Sequence, residues 1–338
     1  MTKLRSIKDI ELEIIQKNID WEILANIIPK KRSKVGRKSD YSDGQMLRVM
    51  MLQDIESIEY DTDMARKLKS NPSYKEFCGF IDKTPAHDKI SRFKRTLKPK
   101  TLKKIHEKMD QILEKSRVFD NDELCGDGTK IPLPIHANIG SWGATSGNDK
   151  FFGLWLMTMN STNTELVRDF NIGTAKIGQV VLMKGLIHNT SITEMERLGN
   201  NVYLDGIFDD HETRQHIFRD WNKIPKIPYN PRNSKIKKAK DLPDDNWRLV
   251  FTPGIRNEEK FKKDCRPRTG VERENSRLKQ WTLIGRIHEK AIRAFRTTGR
   301  YIVNQMIISM ISTQVRALAH RIQELMQPVA IQYTLKNF

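Results

Sequence analysis

Over residues 1–120, apolar positions recur at the three- and four-residue spacing of amphipathic helices, and few stretches alternate as strands do. The pattern predicts helices over residues 10–28, 44–58, 61–69, 88–97 and 102–116, and so an all-α first region. In the fourth of these, Ile90, Phe93 and Leu97 share one face while Ser91, Arg92 and Arg95 lie opposite, as in a helix docked on a small core with its basic side turned to DNA or to water. Residues 29–43, PKKRSKVGRKSDYSD, are rich in Lys, Ser and Gly and read as a linker or an arm.

The pattern changes at residue 122. The runs ELCGDGTKIPL, FFGLWLMTM and TELVRDFNI, separated by Gly, Asn and Ser, predict three strands in series, a meander. A helix over residues 191–198 is expected next, then the strand NVYLDG, the helix DDHETRQHIFRDW, and KIPYNPR as a short strand entering a turn. The last third reads as helical, over residues 269–282 and 288–326, and in the latter Ile302, Met306 and Met310, beside Val303 and Ile307, mark a buried stripe. The longest apolar stretch, residues 301–315, is interrupted by Asn304 and Gln305 and falls short of the roughly 20 residues a membrane span needs. The opening MTKLRSIKDIELEI is charged throughout and lacks the apolar core of a secretion signal.

Composition adds a partner and a compartment. A length of 338 residues favours two units over one. With 60 Lys and Arg against 42 Asp and Glu, the net charge of +18 makes a polyanion the natural ligand. The positive charge is clustered: residues 30–38 carry six basic side chains in nine, and residues 89–104 carry eight in sixteen with no acid, so each run can follow a phosphate backbone. The three cysteines are odd in number and far apart, so they form neither a disulfide framework nor a thiolate zinc site; a reducing cytoplasm fits them.

Three acids stand where chemistry is possible. Asp127 lies in the first strand of the second region between two glycines, which are expected to leave its carboxylate open to approach; Asp205 ends the strand Val202-Tyr-Leu-Asp-Gly206 at a carboxyl edge, where ligands gather in open α/β sheets. Taken singly, either could be an ordinary turn or strand-end aspartate. The third comes from CRPRTGVERENSRLKQW, where at about 100° per residue Arg268, Glu272 and Lys279 fall within about 40° of one another, Asn275 lies beside them and Glu274 points elsewhere, toward solvent or a neighbouring helix. An Arg268–Glu272 pair on a solvated helix would look the same. Asp209 and Asp210 read as caps of the helix that follows. His211 and His216 are five apart, about 140° round a helix, so they do not align as zinc ligands. Trp142 and Trp281 read as packing residues, or as platforms on which displaced bases could stack.

Together these residues resemble a known family, the DDE-type insertion-sequence transposases with a ribonuclease-H-like core. Asp127-Gly128-Thr129 matches its first Asp-Gly-Thr, Asp205-Gly-Ile-Phe208 its second aspartate, IPYNPRN its Pro-x-Asn-Pro-Arg stretch, and Cys265, Arg268, Glu272 and Lys279 its Tyr-x2-Arg-x3-Glu-x6-Lys signature, with Cys265 in place of the tyrosine. The resemblance covers roughly residues 36–319 and implies an α/β fold: a ribonuclease-H-like mixed-sheet catalytic domain over residues 121–326, after an all-α DNA-binding region over residues 1–120 and before a tail at 327–338. It implies that Asp127, Asp205 and Glu272 hold Mg²⁺ or Mn²⁺, the hard cations suited to oxygen ligands, to cut element ends and join the freed 3′-hydroxyls to target DNA. Arg268, Lys279, Asn275 and Arg232 are then expected to contact DNA, along with Lys89, Arg92 and Arg95 of the helical region. The implied partners are double-stranded DNA bearing terminal inverted repeats, target DNA, and further copies of the chain in a dimer or higher assembly at the nucleoid. A metal-dependent nuclease on the same fold and a regulator that has lost catalysis are the alternatives.

Overall fold

Helix starts in the first hundred residues are written in their caps. Ser42 and Gln45 exchange side-chain and backbone hydrogen bonds at the head of one helix, satisfying amides that its first turn leaves without partners. The structure, a computed structural model, describes residues 7–30, 39–119, 122–145, 149–190, 192, 195–252, 254–286 and 299–326. Most of the basic run at 30–38, the first part of the helix expected from 288, and the tail at 327–338 lie outside them.

The first region is helical, as its periodicity predicts: α1 (Ile7–Asn18), α2 (Trp21–Ala25), α3 (Asp43–Ile55), α4 (Asp61–Ser70), α5 (Pro72–Cys78), α6 (His87–Thr96) and α7 (Pro99–Lys115). The helix expected over 10–28 is two helices, because the Asp20 carboxylate accepts the amides of Glu22 and Ile23 and starts a second one. Helix α5 was not expected. Asn71 caps it, Pro72 occupies its first turn, and Gly79 closes it at a φ of 72°, but seven residues are too few to show a period.

The described residues divide into two compact units. One gathers those within 1–118, 280–286 and 300–326; the other gathers those within 119–279 and Gly299. From Arg300 on, the C-terminal helix Gly299–Met326 therefore belongs with the N-terminal helices. Its expected stripe of Ile302, Met306 and Met310 is buried, and so is a polar row beside it. Gln305 Nε2 and Ser309 Oγ donate to Asp54 Oδ1 of α3 at 2.9 and 2.7 Å, Ser312 Oγ donates to Oδ2, and the Leu283 amide approaches at 3.4 Å. Among the described residues, no helix is long and apolar enough to cross a membrane.

The other unit is built on a mixed sheet of β1 (Leu124–Pro132), β2 (Ser141–Ala144), β3 (Lys150–Ser161), β4 (Val167–Thr174), β5 (Asn201–Leu204) and β6 (Ile224–Lys226). Strands β1, β3 and β4 form the expected antiparallel meander, with Asp127 opposite Thr158 and Thr158 opposite Phe170. On the far side of β1, β5 and then β6 add in parallel. Short β2 pairs with the start of β3.

Helices α8 (Gln179–His188) and α9 (His211–Arg219) cover one face over a core that includes Met157, Met159, Met183, Leu186, Leu204 and Ile217. The helix expected over 191–198 is thus displaced: α8 lies earlier, and the described part of that stretch holds only a 3-10 turn, Met195–Arg197. The cause is visible in QVVLMKGLIH, a nearly continuous apolar run with little helical period. Short helices α10 (Trp247–Phe251) and α11 (Glu258–Asp264) follow β6, and α12 (Thr269–Trp281) lies on the opposite face of the sheet, where Val271 packs with Cys125 and Tyr203.

Candidate active site

Side chains alternate along a strand, so Asp127 shares the α12 face of β1 with Cys125 and Thr129, while Gly126 and Gly128 face the other way. A Cβ on Gly126 would stand 2.6 Å from Leu204 Cδ2, and one on Gly128 would stand 2.6 Å from Met157 Sδ. The flanking glycines therefore serve close packing on the core face, rather than opening a path to the carboxylate as expected from sequence. Strand β5 pairs with β1 through Cys125–Tyr203 and Gly126–Leu204, and one further step of that register brings Asp205 beside Asp127. Each aspartate accepts the amide of the glycine that follows it, Gly128 N at 2.7 Å and Gly206 N at 2.6 Å.

The third carboxylate arrives on α12. Arg268, in the 3-10 turn that leads into this helix, sets Nη2 3.4 Å from Glu272 Oε1 and Nη1 3.8 Å from Asp205 Oδ1. Burial pushes the Asp127 carboxyl up to about 6; the Gly128 amide and Arg268 pull against that, and the nearby charges of Asp205 and Glu272 add to it. The three acids thus share one electrostatic site with a single guanidinium between two of them. Even so, no group of three His, Cys, Asp or Glu among the described residues is drawn together tightly enough to hold a metal ion.

The remaining expected residues are placed unevenly. Lys279 reaches the site's face of β1 and donates from Nζ to Thr129 Oγ1 at 2.5 Å; burial, with Lys130 nearby, lowers its pKa. Asn275 is turned toward the sheet and buried, with no hydrogen-bond partner for Oδ1, so the structure does not offer it to solvent beside Glu272. Glu274 is buried as well, on the side away from Glu272, and burial pushes its carboxyl up to about 8. It meets neither solvent nor a neighbouring helix's charges alone: Arg277 and Glu165 are the charged groups that act on it.

Arg232 is exposed in the turn Pro231–Asn233 after β6. Cys265, at the signature's tyrosine position, is a packing residue in a small cluster with Ala239, Leu242, Ile255 and Phe261; burial pushes its thiol up to about 11. In the helical unit, Lys89, Arg92 and Arg95 are exposed on α6, opposite buried Ile90. Lys94, from the same basic run, is instead buried, with Nζ 2.6 Å from Asp61 Oδ1. Of the two tryptophans, Trp142 is about half exposed and meets Phe152 edge to face at 5.8 Å, while the side chain of Trp281 lies outside the description. Asp210 caps α9 as expected, but Asp209 does not: it is buried between Arg214 and Arg248.

A family profile described as Transposase DDE domain matches residues 119–317, and one described as Transposase domain (DUF772) matches residues 2–96. The chain belongs to the DDE transposases. Among curated proteins, none matches it. Membership of this family implies an enzyme that binds and cleaves nucleic acid, and one that, as the family generally does, uses divalent metal ions. The transposase has residues outside the signature that its sequence did not single out, chiefly Asp122 and Glu165, which organise the turn between β3 and β4. Their only sequence signal is the cluster of turn-forming residues in STNTE.

Proposed function

We propose that this transposase cleaves the ends of an insertion sequence and joins the freed 3′-hydroxyls to target DNA, on a ribonuclease-H-like core, with Asp127, Asp205 and Glu272 as the metal-holding acids. The observation that carries the reading is the meeting of three carboxylates, from β1, the end of β5 and α12, around one arginine. The fit to a hard divalent cation rests on the donor set: all three side chains offer oxygen, and burial, with the charges of Asp205 and Glu272 adding to it, raises the Asp127 carboxyl against the pull of Arg268.

When bound, two such ions would supply an activated attacking oxygen and a stabilised leaving oxygen at the phosphodiester. The chain's own residues do the rest. Arg268 can turn its fork from the acids to a phosphate, which guanidinium binds in bidentate fashion, and Lys279, held by Thr129, adds a second positive point on the same face. Partly buried Asp127 holds its charge more readily when an occupant brings positive charge. Exposed Lys89, Arg92 and Arg95 would hold DNA to the helical unit through its phosphates.

The test is a cleavage and joining assay on a duplex carrying the ends of the DNA element that encodes the chain, with Mg²⁺ or Mn²⁺ and then with excess chelator. Cleavage and joined products that vanish on chelation, while DNA binding persists, are expected. Full cleavage in chelator would overturn the metal assignment, and metal-dependent nicking of any DNA without joining would leave a nuclease.

A further inference from the structure

We infer that Glu165 is a positioning residue that sets the rotation of α12, and with it the place of the Glu272 carboxylate, by gripping Arg273 and Arg277; the inference rests on the role proposed for Glu272. Glu165 sits at the end of the β3–β4 turn with a φ of 59°, a left-handed conformation unusual for a residue with a side chain. Such a conformation persists where the surroundings over-determine it. Here they do: the buried Asp122 carboxylate accepts the Asn163 amide at 2.7 Å, Thr162 Oγ1 at 2.8 Å and the Thr164 amide at 3.3 Å, which fixes the turn that carries Glu165.

From that turn the Glu165 side chain, 8% exposed, pairs with both arginines. Arg273 donates from Nε at 2.5 Å, and Arg277 Nη1 stands 2.5 Å from the other carboxylate oxygen. Gly270 lies over the same turn, where a Cβ would come 3.3 Å from Thr162 O and 3.6 Å from Glu165 Cγ. At about 100° per residue, Arg273 and Arg277 lie about 100° and 140° round α12 from Glu272. The grip therefore acts on the flank of the helix and resists turning, while Val271 and the Lys279–Thr129 contact set its height over the sheet. A turn of about 10° at a side-chain radius of about 6 Å would move the Glu272 carboxylate by about 1 Å. A misplacement of that size costs on the order of 100-fold in rate.

The deciding variant is Glu165→Gly, which removes the carboxylate and suits the left-handed backbone, so that turn strain and ion pairing are separated. Measured on element-end duplex with Mn²⁺, its kcat is expected to fall about 100-fold with KM for DNA unchanged. Direct Mn²⁺ binding without catalysis, followed by electron paramagnetic resonance, should weaken, because one ligand has shifted. Should Glu165→Gly melt far below the parent, the double variant Arg273→Gln with Arg277→Gln probes the same grip from the helix, at one exposed and one half-buried position, and should give the same split. A folded variant of either kind with parental kcat and parental Mn²⁺ binding, or with a change in KM alone, overturns the inference. Glu272→Gln, run in parallel, separates the two readings: if it stays active, the role proposed for Glu272 fails whatever Glu165 does.

Discussion

The acid buried in the helical unit and the acid Asp127 inside β1 of the sheet unit are treated in opposite ways. Asp54 is met from several sides, by Gln305, Ser309 and Ser312 and by the Leu283 amide. Asp127, also largely withdrawn from water, is met by the amide of its own neighbour, with Arg268 and two further carboxylates close by. A buried charge costs stability unless donors surround it, so the first arrangement is what a structural acid requires. The second, with few donors and like charges nearby, suits the cation-holding role proposed for Asp127. The contrast separates the two kinds of acid without reference to any motif.

The largest effect that would test this contrast is at Asp127. Asp127→Asn is expected to lower cleavage by roughly a thousandfold or more, the equivalent of several kcal/mol at about 1.36 kcal/mol per factor of ten, while leaving the melting temperature unchanged or raised. A variant that loses stability along with activity would place Asp127 with the structural acids. Asp54→Ala should do the reverse. It strands several buried donors, so thermal or urea melting should show a loss on the order of 3 kcal/mol, with the chemical step intact in the fraction that stays folded.

A smaller effect concerns Glu274. The folded chain keeps this proton to about pH 8, whereas the unfolded chain releases it near the ordinary value of 4.5. The unfolded state therefore gains on the folded one as pH rises through that window, and stability falls from about pH 4.5 to about pH 8. Glu274→Gln removes this fall. Its melting temperature should match the parent's near pH 4 and exceed it at pH 8.5, by an amount worth up to a few kcal/mol. Equal melting curves at both pH values would mean that the parent carboxylate finds its charge balanced by Arg277.

The smallest effect is spread over the exposed cations. Replacing Arg92 and Arg95 with alanine should flatten the plot of log binding constant against log salt by at most about two units, since each neutralised phosphate contributes about 0.9. Lys94→Gln should instead lower stability, because its Nζ pairs with Asp61 inside the helical unit. If Lys94→Gln changed the salt slope and Arg92 and Arg95 did not, the face of α6 turned to DNA would be the wrong one.

What was legible in the sequence follows from which patterns carry a period. The strand that holds Asp127, the strand that ends before Asp205, and the helix carrying Glu272 could be read because each has an alternation or a helical repeat beside a distinctive acid. Helix α8 was missed because its residues are apolar nearly all round, and α5 because it is too short. The facing of Glu272 away from Glu274 follows from helical angles, but the burial of Glu274 and Asn275 does not, because the sheet-facing side of α12 mixes them with Val271 and Leu278. Lys94 carries the same lesson in the basic run: charge identifies a cation, and only packing says whether it faces water. Glu165 lies in a turn far along the chain from α12, and nothing local links it to Arg273 or Arg277.

The position of the C-terminal helix has a consequence for how the protein is made. The partners of Asp54 at Gln305, Ser309 and Ser312 are encoded 251, 255 and 258 residues after it. At the roughly 5–20 residues per second of translation, they emerge from the ribosome on the order of ten to fifty seconds later. During that interval the residues of the sheet unit up to Lys279 have all been synthesised, while the helices made before them still lack the row of donors that satisfies their buried acid. The helices around Asp54 are thus completed only after the residues of the sheet unit have been made, and their buried acid waits for its donors until residues 305–312 emerge.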